Sequence, residues 1–248
     1  MFITFSMLLK GALRDRVSLF WAIAFPLIFL VVLGFIFPAP AYRWQLLTGM
    51  LALSVLFFGL QGIAFDSLYQ RNSGVYKLLR ATPYRTITFV TQLTLARSIV
   101  ALLSGAVVTI AGMLLFNLWF RWERVLLLLP ILFLATLCFT FLGFIVSNLS
   151  QNETQVSVIS NIVTLPMMFA SEIFYSLSTA PNWVKVVSHV LPLSYVIDGE
   201  HAALAVNVFG IVSSILVLLG FTILALSLAV VTFRWDPDAS PVHCILRV

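Results

Sequence analysis

Six long apolar runs constrain this chain more than any other feature. They lie at 19–38, 46–65, 98–120, 125–146, 155–177 and 203–233, and each is nearly free of internal charge. A helix that crosses a bilayer needs about 20 mostly apolar residues, because hydrocarbon offers no partner to backbone polar groups. The sixth run exceeds that length and is expected to tilt or to extend beyond the bilayer. Composition supports the reading: 61% of the residues are hydrophobic and 9% charged, against about 25% charged in a soluble domain. No long polar segment is left for a separate soluble domain. The expectation is an all-α integral membrane protein, one transmembrane domain over 1–248 with six membrane-spanning helices.

Lysine and arginine placement sets the expected orientation. With the N-terminus cytoplasmic, Lys10, Arg14, Arg16, Arg71, Lys77, Arg80, Arg85, Arg97, Arg234 and Arg247 fall inside. Only Arg43, Arg121, Arg124 and Lys185 fall outside. An even number of spans then puts the C-terminus inside too, in the inner (plasma) membrane. The six tryptophans agree: Trp21 and Trp235 fall at the inner boundary, and Trp44, Trp119, Trp122 and Trp183 at the outer one. The net charge of +5 is thus topological and does not point to nucleic acid. The apolar stretch 19–37 is not expected to be a cleaved leader, because it exceeds the roughly 7–15 residues of a signal core. Cys138 and Cys244 lie too far apart in this topology to pair.

Three segments outside the spans carry pattern. In 1–18, Phe2, Phe5, Leu9, Leu13 and Val17 recur at helical spacing with Lys10 and Arg14 on another face, which suits a helix lying in the inner headgroup layer. The connection 66–97 holds five basic residues against Asp66. Within it Val75, Leu78 and Leu79 share one side of a short helix, Lys77 and Arg80 point elsewhere, and Thr82-Pro83 ends it, since a residue before proline leaves the α region. The charges alone fit an ordinary positive-inside loop; the ordered amphipathic turn and its defined stop favour a docking surface. The stretch 166–202 reads as a broken span followed by two short helices on the outer face. Pro181 and Pro192 can open these helices, and Ser194 is a candidate cap for the second. This outer re-entrant region, 171–202, is either the mouth of a pathway or a lid over the bundle.

The sequence contains no Walker-type phosphate loop, no H-E-x-x-H pair and no G-x-S-x-G elbow. His189, His201 and His243 lie outside the spans, and Asp198, Glu200 and His201 read as a solvated helix start, so no metal site is expected. Ion-coupled transporters carry ionisable groups deep in the membrane. Here Asp66, Arg97 and Glu153 lie at inner boundaries and Glu172 near the outer one. The mid-span polar set is Gln61, Asn117, Ser157, Ser160 and Asn161. Such residues more often join helices than bind substrate; Gln61, Asn117 and Asn161 are the pathway candidates. A pump without an internal ion relay needs an external energy source.

Two stretches carry a family resemblance. Gly74-Val75-Tyr76-Lys77-Leu78-Leu79-Arg80-Ala81-Thr82-Pro83 looks like a cytoplasmic ATPase-coupling segment. The run of Pro166, Ser171, Phe174, Pro181, Trp183, Pro192 and Tyr195 is similar to an outer-face pattern. With six spans and an amphipathic N-terminal helix, the layout resembles the permease subunits of ABC exporters of the ABC-2 type, the daunorubicin- and polysaccharide-exporter kind. Glu172 stands where that pattern commonly has glycine, and Glu200-His201 where an arginine is often found. The resemblance implies a permease that hydrolyses nothing and binds no cofactor itself, with ATP and magnesium used by a separate ATPase subunit. It implies a second permease copy, membrane lipid around the bundle, and export of a hydrophobic or amphipathic molecule such as a drug, a lipid-linked compound or a peptide. Gly74, Val75, Tyr76, Lys77, Leu78, Leu79, Arg80, Thr82 and Pro83 would contact the ATPase. Pro166, Ser171, Glu172, Phe174, Trp183, Pro192 and Tyr195 would form an outer gate. The competing readings are a stand-alone secondary transporter or channel, and a membrane scaffold or intramembrane enzyme.

Overall fold

The computed structural model describes residues 2–75, 86–119, 121–175 and 180–232. Among them every regular element is a helix. These are α1 (Phe2–Arg14), α2 (Arg16–Ile36), α3 (Pro40–Asn72), α4 (Thr86–Phe116), α5 (Trp122–Leu149), α6 (Glu153–Ala170), α7 (Asn182–Ser188), α8 (Pro192–Leu204) and α9 (Val208–Val231). Within this set α2, α3, α5, α9 and the Thr91–Phe116 part of α4 are long and apolar enough to cross a membrane. The protein is an all-α integral membrane protein.

α3 is the central post. Its apolar window is 94% buried, against 22% for α2 and 28% for α9. A helix enclosed on all sides must be apolar or small all round, and the consecutive buried residues Thr48-Gly49-Met50-Leu51-Ala52-Leu53-Ser54 meet that demand. Its middle, Phe57–Gly62, is π-helical; such single turns mark an extra residue in an α-helix and are frequent at functional sites. There α3 meets α5 backbone to backbone. A Cβ on Gly143 would lie 2.5 Å from the Leu60 carbonyl oxygen and 3.2 Å from that of Gly59, so only glycine permits the approach.

Several boundaries differ from the sequence expectation. The interfacial helix expected over 1–18 ends at Arg14, because Asp15 leaves helical geometry and accepts a hydrogen bond from Ser18 N at 3.1 Å, capping α2. The run expected at 98–120 begins at Thr86 and ends at Phe116, where Asn117 turns left-handed at φ 57°. In place of the span expected at 155–177, α6 stops at Ala170 as Ser171 becomes extended. With Glu153, Thr154 and Gln155 in its first turn and Pro166 inside, α6 falls outside the five helices that meet the length and apolarity of a span.

The last span, expected at 203–233, is α9 (Val208–Val231); residues 203–204 finish α8, the short helix expected to open at Pro192. Val206 is left-handed (φ 56°) and Asn207 caps α9 by accepting from Gly210 N at 3.2 Å. α8 and α9 form an antiparallel pair: Tyr195 meets Phe221, Gly199 faces Ser214, and Ala202 faces Gly210. Ser194 does not cap α8. Leu191 holds the cap position with Pro192 first in the helix, and Ser194 Oγ lies 3.1 Å from Ser171 Oγ.

Candidate functional site

A cavity of about 510 Å³ opens between α2, α3 and α6. One wall is aromatic. Trp21, Phe25 and Phe29 succeed each other at helical spacing on α2, and Phe57 and Phe65 come from α3. Ring centroids are 6.0 Å apart for Trp21–Phe25, 4.6 Å for Phe25–Phe29 and 5.1 Å for Phe25–Phe57, the spacing of offset or edge-on aromatic pairs. The facing wall is polar and uncharged: Gln61 from the π-helical turn, and Ser157, Ser160, Asn161 and Thr164 from α6. The spacing of these four α6 residues, i, i+3, i+4 and i+7, puts them on one helix face. Among the described residues no charged side chain lines the cavity.

Of the three polar residues singled out as pathway candidates, Gln61 and Asn161 thus share one cavity. Asn117 does not belong with them. It is exposed at the far end of α4, and its Oδ1 accepts from Trp119 Nε1 at 2.7 Å, because a left-handed residue just past a helix end turns its side chain to the local loop.

Below the cavity, at the end of the bundle that carries α1, three charges meet. Arg97 is 3% exposed; one of its terminal nitrogens lies 3.2 Å from Asp15 Oδ2 and the other 2.8 Å from Asp66 Oδ2. Its guanidinium also sits 5.5 Å from the Phe58 ring centroid, a cation–π distance. Asp15 begins α2, Asp66 sits on α3 and Arg97 on α4, so one guanidinium ties three helices. A small cavity of about 170 Å³ adjoins them, lined also by Met7, Gly11 and Gln70. One turn further along α3, Arg71 donates to the Ser147 and Ser150 carbonyls at the end of α5. That interaction satisfies orphan helix-end acceptors and places a cation at the negative end of the helix dipole.

α3 leads directly into the stretch expected to contact an ATPase. Gly74 closes the helix in the left-handed region at φ 75°, its N–H donating to the Arg71 carbonyl at 3.1 Å. Val75 is half-buried against the cluster of Ile63, Leu93, Phe144 and Ala229. Tyr76, Lys77, Leu78, Leu79, Arg80, Thr82 and Pro83 lie outside the described residues.

At the opposite end, the outer-gate candidates divide. Ser171 is buried against Ser194; the Glu172 carbonyl accepts from Gln45 Nε2 at 3.2 Å; Phe174 lies 5.8 Å from Phe29 and 6.2 Å from Phe169. Pro192 is buried, and Tyr195 Oη donates to the His189 carbonyl at 2.9 Å. These knit the 171–175 turn and α8 onto α2, α3 and α9. Pro166 and Trp183 are exposed and join none of these contacts. His201 Nε2 lies 3.1 Å from Thr48 Oγ1, tying α8 to α3. Among the described residues no group of three His, Cys, Asp or Glu side chains is arranged to hold a metal ion.

Sequence reasoning missed three features here. The Arg97–Asp15–Asp66 cluster joins residues far apart in the chain; the available signal was Arg97 at the head of an apolar run with no neighbouring acid. The aromatic wall hid among 22 phenylalanines. Glu200, taken as solvated, is fully buried on α8, and neither carboxylate oxygen has a hydrogen-bond partner among the described residues. Burial raises its carboxyl well above the ordinary glutamate range.

A family model described as ABC-2 type transporter matches residues 2–205. No curated protein matches the chain.

Proposed function

The chain belongs to the ABC-2 type transporter family, and from that premise we propose that it is the permease of an ATP-driven exporter whose substrate passes through the cavity between α2, α3 and α6. As a permease it is the membrane component of an ABC transporter; its energy would come from a partner ATPase that docks on 74–83 and binds ATP and magnesium. A second permease copy, identical or different, would complete the unit. The N- and C-termini would face the cytoplasm of an inner (plasma) membrane, with the Arg97 cluster at the cytoplasmic end.

The observation that carries this reading is the composition of the cavity. Aromatic rings on one side and neutral hydrogen-bonding groups on the other suit a hydrophobic or amphipathic cargo. A proton- or sodium-coupled carrier working alone would use ionisable groups there, and the described residues that line the cavity include none. The reading has two tests. Leu78→Asp with Leu79→Asp should abolish co-purification of the ATPase subunit. Asn161→Trp, which puts an indole into the cavity, should leave co-purification intact and stop ATP-driven accumulation of the neutral amphipath Nile red in inverted vesicles. Wild-type accumulation by the tryptophan variant would rule the cavity out as the pathway.

A further inference from the structure

Glu200 is the only carboxylate among the described residues that is fully buried. It is 0% exposed, and neither Oε1 nor Oε2 has a hydrogen-bond partner among them. Several hydroxyls of this chain are buried in the same condition; each forgoes a hydrogen bond and stays neutral. A carboxyl group differs because it can ionise, and a carboxylate in that place needs a counter-charge or several donors.

The described surroundings hold no counter-charge. α8 packs on α3, α5, α6 and α9. Gly199 faces Ile131 of α5 and Ser214 of α9, and His201 faces Thr48 of α3; at 100° per residue the Glu200 side chain leaves α8 between those two directions. α9 carries no ionisable residue over Val208–Val231. On α5 the ionisable residues nearest Ile131 are Arg124 and Cys138, each about 10 Å away along the helix. At this end of α3 stand Tyr42, against the Phe37 ring, and Arg43, which donates to the Gly34 carbonyl and lies over Phe116. α6 has Glu153 at its far end, and Lys185 lies on α7, which packs on α6. Glu172, His189 and His201 group around Asp198, which is exposed on another side of α8.

Burial is therefore the whole cause that raises the Glu200 carboxyl. α8 is also a separate piece of the bundle. Leu191 before it is extended and Val206 after it is left-handed, so the backbone breaks on both sides. Its seat is made by the His201–Thr48 and Ser194–Ser171 contacts and by the close approach at Gly199. Water reaches Glu200 only when that seat opens.

We propose that Glu200 is a proton-binding site that couples the seating of α8 to the pH at the end of the bundle opposite the Arg97 cluster. While α8 is seated, Glu200 is a neutral carboxylic acid. When α8 leaves its seat the O–H bond breaks, the proton passes to water, and a hydrated carboxylate remains. Reseating takes one proton back. The seated state binds the proton more tightly than the open one, so seating is fully favoured below the exposed glutamate value of about 4.5 and is lost as pH rises through the seated value. Between the two values the open fraction grows about tenfold per pH unit, the slope for one proton. Acid solution holds α8 in place and alkaline solution loosens it. This device does not depend on the cavity between α2, α3 and α6 being the pathway; only its assignment to the outer solution rests on the orientation given above.

The test uses the full chain in phosphatidylcholine nanodiscs with Cys244→Ser and Ser194→Cys, which puts a thiol on the buried side of α8. Labelling by a charged methanethiosulfonate is followed from about pH 5 to pH 8, with and without Glu200→Gln, and native Cys138, buried on α5, reports opening of the whole fold. Dividing the rates of the two chains at each pH removes the ordinary pH dependence of thiol chemistry. The introduced thiol should react faster than Cys138 in both chains. Its rate with Glu200 present, relative to Glu200→Gln, should rise about tenfold per pH unit from about pH 5 until the seated carboxyl itself ionises. A ratio that is flat with pH overturns the proposal. So does an introduced thiol that reacts no faster than Cys138, because α8 then opens only with the whole fold. Infrared spectra of the wild-type chain in heavy water give a check that needs no variant: a protonated-carboxyl band is expected at about pH 7, and its absence overturns the proposal even where Glu200→Gln fails to fold.

Discussion

Replacing Arg97 by methionine keeps the length of the side chain and removes its charge. Arg97 is 3% exposed, while Asp15 and Asp66 are 25% and 24% exposed. Removing one partner of a buried ion pair costs about 3–5 kcal/mol, because the remaining charge is left buried and unpaired. Here the two orphaned carboxylates keep a quarter of their exposure and adjoin a cavity of about 170 Å³ that water can enter. That discounts the loss to about 2–3 kcal/mol. For a chain of this size the shift in the unfolding midpoint is about 5–10 °C, read by fluorescence-detected size exclusion after heating in detergent. The decisive comparison is the triple variant Arg97→Met/Asp15→Asn/Asp66→Asn. Asparagine is as good an N-cap as aspartate, so the bond from Ser18 N survives, and with no charge left the penalty should fall below about 1 kcal/mol. A triple variant that melts as low as Arg97→Met, or lower, would refute the reasoning that unpaired charge carries the cost.

Other consequences are as direct. Gly143→Ala drives a Cβ to 2.5 Å from the Leu60 carbonyl oxygen and should cost about 1–3 kcal/mol as overpacking, seen as a lower midpoint in the same assay. Gly74→Ala strains a left-handed residue by about 1–2 kcal/mol with nothing within 4 Å of the added Cβ; it should weaken ATPase co-purification, and Gly74→Asn, which tolerates that geometry, should restore it. Glu200 has a raised carboxyl pKa in the fold, so its stabilising contribution is full below the unfolded value of about 4.5 and is lost as pH rises through the folded value. The midpoint of the wild type should therefore fall relative to Glu200→Gln from about pH 5 upward, and parallel curves for the two would exclude an ionising Glu200.

The sequence showed what is local and left out what is assembled. Apolar runs locate the helices because lipid imposes length and composition on each separately. The sequence of short helices between α6 and α9 was legible from Pro166, Pro181 and Pro192 for the same reason. The start of the last span was also written locally, in Asn207 three residues before Gly210, but an apolar average over 203–233 hid one polar residue. The Arg97 cluster was not legible at all: Asp15, Asp66 and Arg97 each look like an ordinary boundary charge until three helices converge. The cavity required two helix faces to be set against each other, which periodicity on α2 or α6 alone cannot do. Asn117 misled because a mid-run asparagine looks equally polar whether it faces a cavity or caps a loop.

The continuity of α3 decides where this bundle can change shape. The helix runs unbroken from Gly74 toward the cavity, and Gln61 lies about 20 Å along it. Between them the Ile63–Asn72 segment is pinned twice, by Asp66 to Arg97 on α4 and by Arg71 to the end of α5. A displacement at Gly74 therefore moves this segment with its neighbours as one body. The first place where α3 can yield is the π-helical turn Phe57–Gly62, which holds one residue more than an α-helix of the same span. Losing that residue restores α-geometry without shifting the register on either side. Deleting Leu60 should then leave a folded protein whose unfolding midpoint is close to that of the wild type, while ATP-driven Nile red accumulation is lost because the cavity wall has become rigid. In an ordinary helix the same deletion rotates everything beyond it by about 100° and ruins the packing. A deletion variant that fails to fold would show that the turn is not an insertion, and one that transports normally would show that its flexibility is not used.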